Sequence, residues 1–390
     1  MREWTNIFVR KLVRLLLHIF YIFPIKKNRV MFESYGGISY SCNPKYLCEY
    51  INRYYSGKFE LIWVFKDPKK YENIEYIRGV KLHSFKFFIY RFTSKFIVCN
   101  KTDEVYLPKR KKQVVINTWH AGGAYKRVGL SYEKTYSKAT EWQDYIVREE
   151  TSIYISSSKA FTKYNIKEAY KYEGEILNSG MPRNDVYFDA AYVKQLRKKI
   201  DSIYNTQNKI IVLYAPTFRG DYENNEKITF SLPVDQMIFI LERKYNKPVI
   251  ILNRSHYNDK NALNIKSKYI DKLINVNDFD DMQELLAAAD ILVTDYSSSM
   301  WDFALLSRPC FLYIPDVQEY CDDRGTYTPI NSWPGIICKS EKELIDRLET
   351  IVESEVIEKA RKHLHDLGSF ENGTASKTIV NRMISIMNEE

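Results

Sequence analysis

The sequence predicts an α/β protein built from two Rossmann-like domains of similar size, and three observations support this prediction. The chain has 390 residues, more than the roughly 250–300 at which a single hydrophobic core usually stops growing. From residue 29 onward, short β-rich runs alternate with helical patterns, which is typical of parallel α/β architecture. A polar stretch, residues 198–208, separates these runs into two sets and marks the expected seam between the domains.

The strands and the first helix follow from local composition. In chain order, the predicted strands are Val30–Glu33, Phe59–Phe65, Phe96–Cys99, Val114–Trp119, Ile153–Ser156, Ile176–Ser179, Lys209–Tyr214, Pro248–Leu252, Asp290–Thr294 and Cys310–Ile314. A helix is predicted over Pro44–Tyr54, with Asn43 as its N-cap and Pro44 at the first helical position. Open parallel sheets bind ligands at the carboxyl ends of their strands, so we expect the site there, between the two halves.

Composition and charge exclude several classes of protein. With 45% hydrophobic and 27% charged residues, the chain is typical of a folded globular protein rather than a disordered one. Its net charge of +9 is local, because residues 1–30 carry seven basic residues against one acidic residue and Lys109–Lys112 adds four more. The remainder is nearly neutral, which argues against a nucleic-acid partner. Six scattered cysteines show neither zinc-ligand spacing nor a disulfide framework.

Residues 1–28 are predicted to form an amphipathic, basic, membrane-associating segment. Arg10, Lys11 and Arg14 recur at helical spacing, and most of the apolar residues fall elsewhere around the helix. The longest apolar stretch, residues 15–25, is too short to span a bilayer, and no cleavage site follows it. This pattern favours a helix lying on an anionic membrane surface. The alternative is a helix packed on the core of the protein itself.

Two segments of the first half follow predicted strands and carry reactive side chains. His120 comes directly after a strand and is followed by Gly122 and Gly123, so it is either a proton acceptor at a sheet edge or a core histidine bonded to a carbonyl. The turn Gly180–Asp185 places Arg183 where it can fork two hydrogen bonds to a phosphate. Its alternative is a plain turn with Asn184 or Asp185 as an N-cap.

Two further segments belong to the second half. Tyr214–Asp221 and Asn253–Tyr257 each follow a strand and supply positive groups suited to a pyrophosphate, although either could be a surface turn. In Ala289–Phe303, an apolar strand runs into three serines that open a helix. The unpaired first amides of such a helix favour phosphate. Serine is also simply a good N-cap.

Taken together and in this order, these segments resemble the CDP-glycerol glycerophosphotransferase family, the primases and polymerases of teichoic acid synthesis. The matching runs, from roughly residue 30 to 350, are Phe32-Glu33-Ser34, Tyr40–Pro44, Trp119-His120, Gly180–Asp185, Tyr214–Arg219, Arg254–Tyr257, Thr294–Ser298, Glu319–Gly325 and Trp333–Gly335. Where the family has Gly-Thr-Pro-Leu after the histidine, this chain has Ala121–Ala124. That loop is therefore more flexible and lacks the threonine hydroxyl.

The resemblance implies a GT-B fold, two Rossmann-like domains facing across a central cleft. Residues 29–200 would form the acceptor-side domain and residues 201–390 the CDP-alditol-binding domain. Such enzymes transfer glycerol phosphate, or ribitol phosphate in relatives, from a CDP-alditol to a hydroxyl of a lipid-linked acceptor and release CMP. The implied location is the cytoplasmic face of the cell membrane, with peripheral attachment.

The resemblance also implies roles for individual residues. His120 would be the general base on the acceptor hydroxyl, and His256 with Arg254 would neutralise the pyrophosphate. The serine turn would hold the phosphate oxygens, and Arg183 and Thr217 would contact the nucleotide side. The matched motifs give this substrate-binding set: Arg183, Asn184, Asp185, Thr217, Arg219, Arg254, Thr294, Asp295, Ser297, Ser298, Ser299, Asp302, Arg324 and Gly325.

Other classes remain open on sequence alone. A glycosyltransferase of the same fold, using a nucleotide sugar for capsule or wall polysaccharide, would share the diphosphate site. A membrane-docked binding protein would need the histidines to be incidental. No carboxylate cluster suggests a dedicated metal site, so neither a resident metal nor a cofactor is predicted, and a divalent ion that arrives with the diphosphate is left open. The expected partners are the CDP-glycerol or CDP-ribitol donor, the lipid-linked saccharide acceptor and an anionic membrane surface.

Overall fold

The computed structural model describes residues 2–101, 105–132, 137–217, 232–254 and 268–389, with side chains from Ile7 onward. The strands of these residues are β1 Lys26–Glu33, β2 Glu60–Phe65, β3 Arg78–Lys81, β4 Ser94–Cys99, β5 Val114–Asn117, β6 Ile153–Ile155, β7 Glu175–Leu177, β8 Ile210–Ala215, β9 Val249–Asn253, β10 Leu273–Asn275, β11 Ile291–Thr294, β12 Cys310–Tyr313 and β13 Ile336–Cys338.

The α-helices of the described residues alternate with these strands. They are α1 Arg2–Leu16, α2 Cys42–Tyr54, α3 Phe85–Thr93, α4 Lys138–Glu150, α5 Lys159–Phe161, α6 Ala190–Tyr204, α7 Val234–Tyr245, α8 Met282–Ala288, α9 Ser299–Ala304, α10 Val317–Asp323, α11 Glu341–Thr350, α12 Glu353–Asp366 and α13 Ala375–Asn388. A 3₁₀ segment, Leu17–Ile22, continues α1, and a π-helical segment, Thr162–Ala169, continues α5.

The strands form two parallel sheets with the same internal order. The first sheet runs β3-β2-β1-β4-β5-β6-β7, and the second runs β10-β9-β8-β11-β12-β13. In each sheet, the chain first adds strands outward on one side of a central strand and then adds the remaining strands on its other side. The topological switch therefore lies between β1 and β4 in the first sheet and between β8 and β11 in the second. Ligands of open α/β sheets bind at the carboxyl ends of the strands at such a switch. The prediction of two Rossmann-like α/β domains is confirmed.

The sheets belong to two compact units whose residue ranges differ from the predicted domain boundaries. The first unit comprises residues 1–122, 127–188 and 369–390, and the second comprises residues 123–126 and 189–368. The chain therefore passes from one unit to the other at residues 188 and 189 rather than at the predicted 200 and 201. In addition, residues 369–390 belong to the first unit although they end the chain.

The polar stretch at residues 198–208 is not a linker, because its first half is the end of helix α6. Leu196 and Ile200 are buried on one side of that helix, and its polar residues lie mostly on the other side. An amphipathic surface helix with two core positions has a polar average composition, which explains why the stretch resembled a seam.

Three strands were not predicted from the sequence: β3, β10 and β13. All three are edge strands of their sheets. Edge strands lack a neighbour on one side and need no continuous apolar run, as in β3, where only Val80 of four residues is buried. Interior strands of parallel sheets are covered on both faces and are strongly apolar. Strand β4, for example, has all six residues buried.

The N-terminal segment packs on the first unit with one side and exposes apolar side chains on the other. Ile7 and Leu17 are buried, whereas Phe8, Leu15 and Ile19 are 66–68% exposed. The remaining exposed apolar positions of this segment are Val9, Leu12, Leu16 and Ile22. Packing on the protein itself, the alternative interpretation, therefore describes the buried side of the segment, and membrane association of the exposed side stays a prediction. No helix among the described residues is long and apolar enough to cross a membrane.

Two arginines tie this segment to the first unit. Arg14 forms an ion pair with Glu150 on α4. Arg110 donates from its guanidinium to the carbonyls of Tyr21 at 3.0 Å and Phe23 at 2.6 Å, and also to Phe92 O at 2.9 Å. Part of the basic run Lys109–Lys112 therefore makes contacts within the first unit, and only Lys111 and Lys112 of the run are exposed.

Candidate active site

His120 lies in the loop that follows β5, at the carboxyl edge of the first sheet. Its Nδ1 is 3.0 Å from the carbonyl oxygen of Asn100, the residue after β4. A carbonyl oxygen can only accept, so Nδ1 carries the proton and Nε2 of the neutral ring carries the lone pair. A histidine in this tautomer accepts a proton at Nε2, which is the chemistry of a general base.

Asn100 is itself held at the switch between β1 and β4. Its Oδ1 accepts from the Tyr35 backbone N–H at 2.8 Å, and its Nδ2 donates to Ser34 Oγ at 3.2 Å. The His120 ring stacks on Trp119, with ring centroids 4.8 Å apart, and meets Tyr35 edge-on at 5.9 Å. These contacts fix the plane of the imidazole as well as its tautomer. The sequence indicated His120 but not Asn100, because nothing in a lone Asn after a strand distinguishes it.

Arg183 lies next to the same loop, but its guanidinium is already hydrogen-bonded to other residues of the protein. It is buried, and its Nη1 donates to His120 O at 2.6 Å and to Cys42 Sγ at 3.4 Å. The described contacts of this guanidinium therefore brace the His120 backbone. A role of Arg183 on the nucleotide side stays a prediction.

The next two residues of this turn contact the C-terminal segment of the first unit. Asn184 Nδ2 donates to Glu371 Oε1 at 2.9 Å. The Asp185 carboxylate accepts from the first backbone amides of α13, Ala375 N at 2.9 Å and Ser376 N at 2.8 Å. Burial raises the pKa of Asp185, and the hydrogen bonds from these two residues oppose the rise. Asp185 is therefore not the local N-cap of the alternative interpretation, since Asp189 caps the next helix, but it accepts from the first amides of a helix 190 residues further along the chain.

At the carboxyl edge of the second sheet, Asp295 joins the ends of β8 and β11. Both of its oxygens accept from the Thr217 backbone N–H, at 3.0 and 2.9 Å. Thr294 Oγ1 donates to Ala215 O at 2.6 Å across the same two strands. The Thr217 Oγ1 is buried and has no hydrogen-bond partner among the described residues. Thr217, Thr294 and Asp295 therefore meet at the second topological switch, as their positions after strands predicted.

The three serines after β11 are not equivalent. Ser297 Oγ accepts from Ser299 N at 3.3 Å and from Ser299 Oγ at 3.0 Å, so these two hydroxyls serve the start of the helix. The Ser298 side chain is partly exposed and makes no hydrogen bond with the described residues. Helix α9 has only six residues, so its dipole is small. Ser298 occupies the N-cap position of α9, but its side chain makes no capping hydrogen bond, and the Ser297 hydroxyl accepts from the first amide of the helix instead.

Asp302 and Arg254 contribute to the framework of the second unit. Asp302 is buried and accepts from Gln283 Nε2 of α8 at 3.2 Å. Arg254 donates from Nη1 to the carbonyls of Val276 at 2.8 Å and Asn277 at 2.9 Å, and to that of Phe279. These bonds hold the loop after β10. The other two predicted residues of this edge, Arg219 and His256, lie outside the described residues.

Arg324 and Gly325 follow helix α10 and lead into a backbone bridge with Lys126. Lys126 pairs with Thr326, and Tyr327 N donates to Tyr125 O at 2.7 Å. Burial lowers the pKa of Lys126, the charge of Arg324 lowers it further, and Asp295 opposes both. Lys126 was not among the predicted site residues. Its position six residues after His120, in the run that resembles the family motif, is the signal that could have found it.

The residue before Lys126 is fixed by a buried histidine. Tyr125 Oη lies 2.8 Å from His363 Nε2, while His363 Nδ1 lies 2.6 Å from Ser332 O. Since the carbonyl must accept from Nδ1, the tyrosine hydroxyl donates to Nε2. Burial lowers the pKa of His363 to about 4, so the ring is neutral near pH 7. In the part of the chain that the structure describes, no group of three or more His, Cys, Asp or Glu side chains could hold a metal ion.

Two Rossmann-like units, with His120 at the carboxyl edge of one sheet and a hydroxyl-rich, charged turn at that of the other, have the architecture of the GT-B-like class. Residues 15–385 match the model of the family described as CDP-Glycerol:Poly(glycerophosphate) glycerophosphotransferase. The chain belongs to this family, as the resemblance of its motifs predicted.

Individual relatives agree with this assignment. The chain is 31% identical to a teichoic acid poly(glycerol phosphate) polymerase of Staphylococcus epidermidis over 91% of its own length, although it spans only 50% of that relative. It is also 31% identical to a teichoic acid glycerol-phosphate transferase of Staphylococcus aureus, covering 90% of this chain and 92% of the relative. A histidine-to-asparagine variant of the wall teichoic acid polymerase TagF, soaked with CDPG, superposes with a TM-score of 0.83 at 28% identity. That match covers 100% of this chain and 97% of the other.

Proposed function

We propose that this protein transfers glycerol phosphate from CDP-glycerol to a hydroxyl of a lipid-linked acceptor in teichoic acid synthesis, with release of CMP. The observation that carries the proposal is the His120 ring, held by Asn100 O so that Nε2 bears the lone pair, in a chain of the glycerophosphotransferase family. The glycerol-phosphate donor is favoured because the two relatives described above act in glycerol-phosphate transfer by name.

In the proposed reaction, Nε2 of His120 accepts the proton of the acceptor hydroxyl. The freed oxygen attacks the phosphorus that carries glycerol, and a new phosphodiester bond forms. The bond from that phosphorus to the bridging oxygen breaks, and the electron pair leaves with CMP. A phosphate leaving group is weakly basic, so no strong general acid is required. A general base typically contributes about 10²–10⁴-fold to such a step.

Donor binding is proposed for the carboxyl edge of the second sheet. The Ser298 hydroxyl and the positive groups of Lys126 and Arg324 are suited to the diphosphate, because phosphoryl transfer depends on positioning and charge compensation. We also keep Arg219, Arg254 and His256 as proposed donor-binding residues, because they belong to the motifs that resemble the family. Asn184 and Asp185 are left out of it, since their contacts to Glu371 and helix α13 are structural.

We further propose that the protein attaches peripherally to an anionic membrane surface, where a lipid-linked acceptor would reside. The N-terminal apolar surface (Phe8, Leu12, Leu15, Ile19 and Ile22) supports this, since all five side chains are exposed. Exposed lysines at positions 11, 26 and 27 lie in the same segment. A helix with exposed apolar residues and nearby basic residues binds anionic lipid by burial and by charge.

A comparison of donors tests the proposed activity. The protein is incubated with a short lipid-linked acceptor and CDP-glycerol, CDP-ribitol or UDP-sugars in turn, and products are identified by mass. We expect CMP release and one added glycerol phosphate per transfer with CDP-glycerol. Preference for CDP-ribitol would reassign the alditol. Release of UDP from a sugar donor would instead place the protein among the glycosyltransferases.

A further inference from the structure

Asn43 occupies an unusual position in the first unit. The sequence predicted it as the N-cap of the first helix after β1, but the residue before that helix is Ser41, and Asn43 lies inside α2. Its side chain is completely buried. A buried amide group needs hydrogen-bond partners, and these have to come from elsewhere in the fold because Asn43 does not cap the helix.

Those partners are the backbones of the two loops that carry His120 and Arg183. Asn43 Nδ2 donates to Thr118 O at 3.0 Å and to Trp119 O at 2.9 Å. Its Oδ1 accepts from the Arg183 backbone N–H at 3.2 Å. One side chain therefore joins the start of α2, the loop after β5 and the loop after β7.

The two carbonyls that Asn43 holds are those on either side of Trp119. Trp119 has a φ of 52°, the left-handed region that a bulky residue rarely adopts. Such a strained conformation persists only when its surroundings fix it. Arg183 Nη1 then holds the following carbonyl, His120 O, at 2.6 Å. Three successive carbonyls, from Thr118 to His120, are thus fixed by Asn43 and Arg183.

We propose that Asn43 is a positioning residue for His120, which rests on the general-base role proposed above for that histidine. By holding both carbonyls around Trp119, the amide sets the direction in which the His120 side chain leaves the backbone. Asn100 then selects the tautomer of a ring that is already correctly placed. An amide fits this task because it offers two donors and one acceptor, whereas a carboxylate at position 43 would turn an oxygen toward the two carbonyls.

A double-mutant cycle tests this inference. Asn43→Ala and the nearly isosteric Asn43→Asp are each made in the wild-type protein and in His120→Ala, and CMP release from CDP-glycerol is measured. We expect either change to lower kcat by about 10–100-fold, since a small misplacement of a catalytic group has this effect. The KM for CDP-glycerol stays within about twofold. In the His120→Ala background, the same changes lower the residual rate less than about twofold, because effects of residues acting as a unit are not additive.

The control is Asn28→Ala, which removes an asparagine of the same unit whose side chain, among the described residues, bonds only to Lys58 O, at 3.3 Å. It should leave kcat unchanged. Equal losses from Asn43→Ala in both backgrounds would overturn the positioning role. Loss of CDP binding together with turnover in both Asn43 variants would also overturn it, since it would show a folding role alone. Normal turnover of His120→Ala by itself would instead contradict the proposed function on which the inference rests.

Discussion

The three serines of the motif after β11, Ser297, Ser298 and Ser299, differ in the hydrogen bonds that their hydroxyls make. Ser297 and Ser299 bond to each other at the start of α9, whereas Ser298 makes no hydrogen bond with the described residues. A hydroxyl in this position at the end of β11 is available to a phosphate oxygen. The three serines were indistinguishable in the sequence, because the difference depends on which hydroxyl the helix start uses.

Replacement of Ser298 by alanine should weaken donor binding without affecting the fold. A hydrogen bond to a charged group contributes about 1.5–3 kcal/mol, so we expect the Kd for CDP-glycerol to rise by ~10–100-fold. Titration calorimetry measures this, with Ser202→Ala on the exposed face of α6 as the matched control. Unchanged affinity in Ser298→Ala would mean that this hydroxyl does not contact the donor.

The sequence could predict only those site residues that lie just after the end of a strand. His120, Thr217 and Asp295 lie within three residues of the end of a strand, and the structure places them at the carboxyl edges of the sheets. The tautomer of His120 could not be predicted, since it depends on the carbonyl of Asn100, 20 residues earlier. The partners of Asn184 and Asp185 could not be predicted either, because they come from a segment almost 190 residues later.

At the scale of elements, Asp185 couples a turn of the first unit to its last helix. Helix α13 begins after Thr374, whose own side chain makes no capping bond. Asp185 supplies the missing cap by accepting from two of the first amides of the helix. The turn after β7 is therefore fixed from both sides, by Asn43 at Arg183 and by α13 at Asp185.

Asp185→Ala should lower the stability of the first unit rather than donor affinity. Loss of an N-cap acceptor typically costs about 1–2 kcal/mol, which chemical denaturation monitored by circular dichroism would detect. The matched control is Asp189→Ala, which removes the cap of α6 in the second unit. A weaker Kd for CDP-glycerol with normal stability in Asp185→Ala would return this residue to the substrate-binding set.

The elements that could be predicted from the sequence are those with a strong apolar signal. Interior strands such as β4 and β11 are buried throughout and were found. The short edge strands β3 and β10 were missed because partly exposed strands carry little apolar patterning, and β13 was missed although it is apolar, because it has only three residues. Residues 198–208, which include the end of helix α6, were taken for the seam between the domains because the two buried positions of that helix are outnumbered by polar ones.

For the molecule as a whole, the N-terminal segment is both part of the fold and an exposed apolar surface. Leu17 belongs to a core cluster with Met31 and Phe92, and residues 26 and 27 already belong to β1. Removing residues 1–27 would therefore damage the first unit. The membrane proposal needs substitutions that change only the exposed side.

The double variant Leu15→Glu/Ile19→Glu should bind anionic vesicles more weakly while the protein stays folded. Both side chains are at least 66% exposed, so the substitutions remove apolar area and add negative charge without disturbing the core. We expect partitioning to phosphatidylglycerol vesicles, measured by co-sedimentation, to fall ~10-fold or more. Ile203→Glu, at an exposed isoleucine of α6, is the control and should bind as the wild type does. Equal binding by the double variant and the wild type would place the membrane contact elsewhere.

The most direct test of the proposed reaction is the rate of CMP release from CDP-glycerol by wild type and His120→Ala, with donor binding measured in parallel. The variant should bind CDP-glycerol within about twofold of the wild type, because His120 belongs to the first unit and the proposed donor groups belong to the second. Its turnover should fall by at least ~100-fold, the lower range for loss of a general base. Near-normal turnover in His120→Ala, with an acceptor present and CMP as the product, would contradict the mechanism proposed for this protein.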